Sequence, residues 1–533
     1  MKGFFYMDIK TIKTMEKVTP QTLSGGLSRL SIAFVFIAVV FVWTSLTHGE
    51  VANNTFLIIG AVFGAYMAMN IGANDVANNV GPAVGSGALT MFAAIVIAAT
   101  FEAGGALIAG GEVVKTIKKG IIDPGMIANP DIFIWAMTAA LLSAALWLNF
   151  ATYIGAPVST THSIVGGVMG AGIAAAGFGI VAWGTMGKIA ASWVISPVLG
   201  GVIAASFLYL IKSKIVNTDD MIASAKKVIP FLIALMAMAF STYLILKGIK
   251  KVIKIDFPTA LALGTAVAIA IYFVVKPMIA KAADKLENSR LGINSLFTIP
   301  LIFAAAILSF AHGANDVANA IGPLAAINDA VVNGGISAKA GIPLWVMSVG
   351  AVGIAIGLAL YGPKLIKTVG SEITELDQMR AFSIAMAAAI TVIIASQLGL
   401  PVSSTHIAVG GVFGVGFLRE YLDRGETKFL QAARAKFKAD KKELEELETE
   451  FKKLDKIEEK SKENYERIVE LYKRIDEKQE LVKAEKKEFK SAKKIKYVKR
   501  DAVKKIIAAW IITVPAAATL SAGVFFMIKG IMS

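Results

Sequence analysis

The sequence predicts an all-α, polytopic membrane protein of about twelve spans, built from two inverted repeats with broken or re-entrant helices and carrying a soluble helical hairpin as an insertion. Three observations predict it: long apolar runs throughout, two motifs that each occur twice, and a block of charge confined to one region near the C-terminus.

The apolar runs come first. Of 533 residues, 56% are hydrophobic and 17% charged, with a mean hydropathy of +0.64, whereas soluble domains carry about 25% charge. An α-helix crosses the hydrocarbon core with about 20 apolar residues. Such runs recur at 30–47, 55–71, 91–110, 131–152, 189–211, 228–248, 257–280, 295–311, 342–362, 380–399 and 505–528. No small-residue cleavage site follows Trp43 to Thr47, so the first run is expected to stay as a span rather than leave as a signal peptide. The formal net charge of +15 sits mostly in loops between spans. Retention of Lys and Arg on the cytoplasmic side explains it, and nucleic acid is not expected as a partner. The chain has no cysteine, which excludes disulfides and thiolate metal sites.

The repeats come second. Gly72-Ala73-Asn74-Asp75-Val76-Ala77-Asn78 returns without a gap as Gly313-Ala314-Asn315-Asp316-Val317-Ala318-Asn319, 241 residues later. Pro157-Val158-Ser159-Thr160-Thr161-His162 returns as Pro401-Val402-Ser403-Ser404-Thr405-His406, 244 residues later, and each copy runs into Val-Gly-Gly-Val at 165–168 and 409–412. A weaker echo sets Lys188 and Trp193 against Lys505 and Trp510, 317 residues apart, which exceeds 244 by 73. An insertion of that size therefore interrupts the second copy. The expected organisation is an N-terminal tail at 1–29, a first repeat half at 30–216, a short connection with central spans at 217–294, a second repeat half at 295–418, the charged insertion at 419–502 and a final span at 503–533.

The insertion reads as soluble helix. It contains no proline between Pro401 and Pro515 and no glycine between Gly425 and Gly523. Leu444, Leu447, Phe451 and Leu454 repeat at helical spacing, and Ile468, Leu471 and Ile475 do so again beyond the polar stretch Lys460 to Asn464, which fits a two-helix coiled hairpin. Such a hairpin packs on itself or on a second protomer, the latter giving a homodimer, the alternative being a regulatory or partner-binding domain. Its lysines place it in the cytoplasm. The equivalent loop of the first half, Ala174 to Gly187, carries no charge, as expected if equivalent loops of inverted repeats face opposite sides.

Both motifs bring turn-forming residues into apolar surroundings. Gly72, Gly81, Pro82, Gly85 and Gly87 are expected to interrupt one hydrophobic region, and Gly313, Gly322 and Pro323 its counterpart. Freed backbone is tolerated at that depth only where it is buried in protein or lines a cavity, and paired interruptions point to a transport site. Asp75 and Asp316 would each cost about 2.5 to 3.5 kcal/mol at mid-membrane. The motifs hold no Arg or Lys, so a bound cation is the natural partner. Asn74, Asn78, Asn315, Asn319, Ser159, Thr160, Ser403 and Ser404 add neutral oxygens suited to a hard cation, the alternative being polar contacts between helices. Ser159 to Thr161 and Ser403 to Thr405 precede Gly-rich helices and read as N-caps. A helix start offers free N–H groups to an anion, and two could converge on one; capping alone is the alternative.

His162 and His406 read as buried hydrogen-bonding groups rather than as metal ligands or bases, since no third ligand is clustered with them. Glu102 falls opposite Ala351 when Gly104 is set against Gly353, and an unduplicated intramembrane acid points to a separate ion or proton role against a satisfied structural pair. Two membrane carboxylates also suit an aspartyl protease, which would not need the duplicated hydroxyls, and buried carboxylates suit a passive channel.

These doubled motifs, Gly-Ala-Asn-Asp-Val-Ala-Asn and Pro-Val-Ser-(Ser/Thr)-Thr-His, resemble those of the inorganic phosphate transporter (PiT) family over nearly the whole chain except the insertion. The resemblance implies sodium-coupled phosphate symport by alternating access across the cell membrane, with no enzymatic activity and no cofactor beyond sodium as coupling ion. Proton-coupled phosphate or metal-phosphate symport is the alternative. It implies Asp75, Asp316, Ser159, Thr160, Thr161, Ser403, Ser404 and Thr405 around phosphate. Sodium ligands would be drawn from Asn74, Asp75, Asn78, Asn315, Asp316, Asn319, Ser159 and Ser403, with Glu102 an added ion-coupling candidate. One departure is plain. Family members often carry a large loop between the halves, whereas here the join at Asn217 to Lys227 is short and the insertion comes late.

Overall fold

The computed structural model describes residues 23–51, 54–127, 129–154, 158–248, 255–333, 341–372, 376–423, 428–459, 461–492 and 500–533. Residues 1–22 of the N-terminal tail, Pro157, and residues 424–427, 460 and 493–499 of the insertion lie outside them. Eleven helices among the described residues are long and apolar enough to cross a membrane.

Helix α1 (Leu23–His48) begins inside the expected tail, ahead of residue 30 where the first half is expected to start, and precedes the helices that the two copies share. The repeat itself consists of α2 (Asn54–Asn74), α3 (Ala77–Gly85), α4 (Met91–Ala109), the short α5 (Gly111–Lys119), α6 (Pro130–Ile154), α7 (Thr160–Ala176) and α8 (Trp183–Ile211). Two central spans follow, α9 (Met221–Lys247) and α10 (Phe257–Ala283), then the short α11 (Arg290–Leu296). The second repeat has α12 (Thr298–Asn333), α13 (Leu344–Glu372), α14 (Gln378–Gln397) and α15 (Ser404–Asp423). The insertion contributes α16 (Lys428–Asp455) and α17 (Lys462–Ala492), and α18 (Arg500–Met532) closes the chain. Short polar caps start several of these helices. Asp220, Asp256 and Asp377 each accept the N–H three residues on, and the Thr259 hydroxyl and N–H hold the Asp256 carboxyl below its ordinary range.

Outer and inner helices differ in what they bury. In α1 and α10 only 17% of the most apolar window is buried, and Leu46 and Phe273 are 81% and 66% exposed, a surface suited to hydrocarbon. In α12 the share is 89%, so this helix forms the axis of the molecule.

The two repeats are interlocked. Helix α4 of the first packs on α12 of the second, α13 of the second on α2 of the first, α8 on α15, and α18 on α7. Glycines set these crossings. A methyl on Gly166 or Gly170 would lie 2.7 or 2.1 Å from the carbonyls of Val514 and Ala518, and one on Gly410 or Gly414 would lie 2.2 or 2.0 Å from those of Pro197 and Gly201. These pairs match at the 244- and 317-residue offsets, so α8 and α18 are equivalent arms laid across the opposite repeat. Likewise Gly72 meets the Ile354 carbonyl at 2.0 Å and Gly313 that of Glu102 at 2.1 Å. The structural counterpart of Glu102 is therefore Ile354, three residues beyond the Ala351 that glycine matching in the sequence indicates.

The expected interruptions are realised in one copy only, and even there α3 runs through Gly81 and Pro82 before it ends at Gly85. The first motif turns at Asp75 and Val76, where the Asn78 N–H bonds the Asp75 carbonyl at 3.0 Å. The second motif lies inside α12, which runs unbroken through Gly313, Gly322 and Pro323. Proline removes one helical bond, and a helix buried along its length against neighbours retains the others. The re-entrant tip lies instead between α14 and α15, and there the two copies meet, the Thr161 hydroxyl at the start of α7 donating to the Val402 carbonyl at 2.9 Å.

In the insertion, α16 and α17 pair with each other. Leu447 and Leu471 are buried in the seam. Lys478 reaches Asp440 and Glu443 at 2.9 and 2.5 Å, and Arg467 reaches Glu450 at 2.8 Å, which sets the pair antiparallel. The Lys478 ammonium holds the Asp440 carboxyl below the usual carboxylate range.

A two-fold candidate site at two helix starts

The site is built from the first turns of α7 and α15. Ser159 caps α7 by accepting the His162 N–H at 3.1 Å, and Ser403 caps α15 by accepting the His406 N–H at 3.3 Å. Each start keeps N–H groups that the helix itself cannot bond and presents the positive end of a helix dipole. Both starts are buried.

The carboxylates come from the other motif. The Thr160 hydroxyl donates to Asp75 Oδ2 at 2.5 Å, and the Ser404 hydroxyl, its repeat mate, donates to Asp316 Oδ2 at 3.1 Å. The asparagines reach across the repeats. Asn78 Nδ2 donates to Thr405 Oγ1 at 2.9 Å and Asn319 Nδ2 to Thr161 Oγ1 at 3.1 Å. Thr405 in turn donates to Asp75 Oδ1 at 3.1 Å, and Thr161 to the Val402 carbonyl at 2.9 Å. Asn74 and Asn315 sit one step outside. Asn74 bonds Thr152 at 3.0 Å and Asn315 bonds Ser396 at 3.0 Å, again mates at the 244-residue offset. Asn315 also holds the re-entrant tip through the Leu400 carbonyl at 3.1 Å and the Val402 N–H at 3.3 Å. The structure thus gathers Asp75, Asp316, Asn78, Asn319 and the hydroxyls of both helix starts into one buried network, with Ser159 and Ser403 serving as caps.

One side of this network breaks the symmetry. His312 Nδ1 lies 2.7 Å from Glu102 Oε2, His312 Nε2 lies 3.0 Å from Asp316 Oδ2, and Asn79 donates to Glu102 Oε1 at 2.7 Å. All are buried. The mates of His312, Glu102 and Asn79 are Ile71, Ile354 and Ala320, so the chain of polar groups has no counterpart across the two-fold. The sequence places no fixed cation in the motifs, yet His312, just ahead of the second, supplies an ionisable base beside Asp316. Its signal was its position next to Gly313; matching the copies hides it because Ile71 stands at the equivalent place. Asn79, Thr152 and Ser396 are likewise legible only once the helices are packed.

Asp75, His312 and Asp316 each offer an atom within 4.8 Å of the others, a grouping that could hold an ion. Asp316 Oδ1 and Asn319 Oδ1 are buried acceptors without a hydrogen-bond partner among the described residues, and oxygens of this kind suit a hard cation. His162 and His406 differ from expectation. They are buried, but their ring nitrogens have no hydrogen-bond partner among the described residues. The rings meet edge to face at 4.5 Å, and each packs on the tryptophan of its own repeat, Trp193 at 3.9 Å and Trp510 at 3.6 Å. They pack the seam behind the helix starts.

Comparison with known proteins matches most of the chain. The model of the phosphate transporter family matches residues 71–521. Two strains of Helicobacter pylori carry proteins, each named "Putative phosphate permease", that are 51% and 52% identical over 524 residues, covering 97% of this chain and 98% of theirs. A similarly named protein of Pyrococcus abyssi is 41% identical over 363 residues, 68% of this chain and 89% of its own. A solved structure named "The sodium-dependent phosphate transporter" superposes with a TM-score of 0.71 at 33% identity, covering 89% of this chain and 99% of that one.

Proposed function

This multi-span membrane chain belongs to the phosphate transporter family, and from that premise we propose that it moves inorganic phosphate together with sodium by alternating access, both bound between the repeats. The observation that carries this reading is the reciprocal arrangement of Asp75 with Thr160 and Asp316 with Ser404 at two facing helix starts. Helix starts bind oxyanions through N–H groups and dipole, while the carboxylates offset the positive charge of sodium. Asp316 Oδ1 and Asn319 Oδ1, without hydrogen-bond partners, are the first candidates for cation ligands.

The carboxylates also give a reason for anion choice. Near neutral pH phosphate keeps at least one proton and sulfate keeps none, so Asp75 or Asp316 can accept a hydrogen bond from phosphate but meets only lone pairs on sulfate. Sites built to pair with a substrate O–H reject the analogue lacking it by roughly 10⁴ in favourable cases.

On this reading the end bearing α16 and α17 faces the cytoplasm. Helices α8 and α15 run parallel, with Pro197 opposite Gly410 and Gly201 opposite Gly414. The π-helical end of the α8 span, with Lys212 and Lys214, therefore lies at the same end as the insertion, as do Lys226 and Lys285. Clustered lysine is the mark of the cytoplasmic side.

A second reading has its own observation. The buried chain from Asp316 through His312 to Glu102 could carry a proton as the coupling ion. Thermal stability of the purified protein tests sodium against it. Phosphate should raise the melting temperature only when sodium is present, and arsenate should replace phosphate where sulfate does not. Equal stabilisation by phosphate in potassium and in sodium would remove the sodium reading.

A further inference from the structure

Helix α5 carries a buried charge that the substrate network leaves unused. Lys118 Nζ lies 2.6 Å from Asp329 Oδ2, with the two side chains only 5% and 3% exposed. Asn333 donates to the other oxygen of Asp329 at 2.7 Å. The pair is not part of the two-fold pattern, because the mate of Asp329 at the 241-residue offset is Ala88. It stands thirteen residues beyond Asp316 on α12, about 20 Å at 1.5 Å per residue, toward the end opposite the hairpin.

Two further contacts join α5 to the site. Ile117 occupies a notch at Gly322, where a methyl group would come within 2.6 Å of it. The Thr116 hydroxyl donates to the Gly399 carbonyl at 2.7 Å. Gly399, at φ +66°, forms the re-entrant tip before α15, and the next carbonyl, that of Leu400, is the one Asn315 holds. Helix α5 therefore lies over the substrate network on one side, anchored both to α12 and to the tip that presents Ser403 and Ser404. At the opposite end α13 continues as one helix to Glu372, and no separate short helix stands between it and α14 among the described residues.

We propose that α5 is the gate on the side opposite the hairpin and that the Lys118–Asp329 pair is its latch. The proposal rests on the alternating-access reading above. A buried ion pair is a poor way to hold a permanent seam, because well-packed apolar residues do as well or better. It is well suited to a seam that opens, since both charges are satisfied when paired and dry and again when separated and hydrated. Removing one partner leaves the other charged in a dry place and favours the open form. Release of α5 also frees Gly399, and with it the tip carrying the second helix start.

The chain has no cysteine, so Asn328→Cys places a single thiol next to Asp329, at a position now 6% exposed. The measurement is its rate of labelling by a hydrophilic maleimide in nanodiscs, which needs neither phosphate nor sodium, so a failed coupling assignment and a failed gate give different results. Lys118→Ala should raise the rate by about tenfold, through the penalty on an unpaired buried charge. The exchanged pair Lys118→Asp with Asp329→Lys should lower it again, and Lys118→Met with Asp329→Leu should hold it at or below the parent rate. An unchanged rate in folded Lys118→Ala protein would overturn the latch. Should Lys118→Ala not fold, Lys118→Cys with Asp329→Cys and a short cleavable cross-linker decides. Cross-linking should stop phosphate uptake and cleavage should restore it, whereas undiminished uptake by the cross-linked protein would mean that α5 does not move.

Discussion

Asn78 and Thr405 are 327 residues apart in the chain and 2.9 Å apart in the molecule. Their repeat mates, Asn319 and Thr161, close the same bond from the other side at 3.1 Å. Each repeat thus supplies the asparagine that steadies the other's helix start, and each hydroxyl it steadies lies beside a carboxylate or the opposite tip. No half of the site is complete within one repeat. A substrate held there is in contact with both repeats, so relative movement of the halves must act on it.

The carboxylates should be indispensable. Asp75→Asn and Asp316→Asn are each expected to lower initial phosphate uptake into liposomes by at least about 100-fold, equivalent to roughly 2.7 kcal/mol, while the proteins still elute as folded species. Near-normal uptake by either variant would remove that residue from the site.

Much of this was legible in the sequence because the repeats are copies. Asp75, Asp316 and the two hydroxyl clusters stand out through duplication alone, and the spans through apolar length. The unduplicated residues were harder. His312 is masked by Ile71 and Asp329 by Ala88, and Lys118 looks like an ordinary loop lysine until α5 is folded onto α12. The expected break at Gly322 and Pro323 is absent because burial of α12 outweighs one missing hydrogen bond. The counterpart of Glu102 required knowing which carbonyl each glycine touches, since Gly105 and Gly357, not Gly104 and Gly353, occupy equivalent crossings at 1.9 and 2.0 Å from Phe310 and Met69.

Glu102 and His312 should act as a unit. Glu102→Gln and His312→Gln are each expected to slow uptake by about tenfold or more, and the double variant should be little worse than the more damaged single, with a coupling of about 0.5 to 3 kcal/mol. A double-mutant cycle on uptake rate measures it. Multiplying penalties would mean that the 2.7 Å contact carries no coupling.

Helix crossings should be intolerant of a single methyl group. Gly72→Ala and Gly313→Ala drive a carbon to within 2.0 and 2.1 Å of a backbone carbonyl oxygen, and are expected to destabilise by about 1 to 3 kcal/mol or more. Gly523→Ala, inside α18 with nothing within 4 Å, should not lower the melting temperature in detergent. Equal melting temperatures for all three would contradict the close crossings.

The hairpin should not be needed for transport itself. Replacing residues 426–499 with a short flexible linker should leave phosphate exchange in liposomes within about threefold of the parent, a fold range that a change of about 0.6 kcal/mol spans, since among the described residues α16 and α17 pair with each other rather than with the site. Loss of exchange in a well-folded deletion protein would make these helices part of the mechanism.

The central claim is that phosphate and sodium share the space between Asp75 and Asp316, and the most direct test is uptake of labelled phosphate into proteoliposomes with the sodium and pH gradients imposed separately. An inward sodium gradient at equal pH should drive phosphate above equilibrium, with arsenate competing and sulfate not. Accumulation driven by a pH gradient alone, with sodium gradients without effect, would contradict the account and transfer the coupling to the Glu102–His312–Asp316 chain.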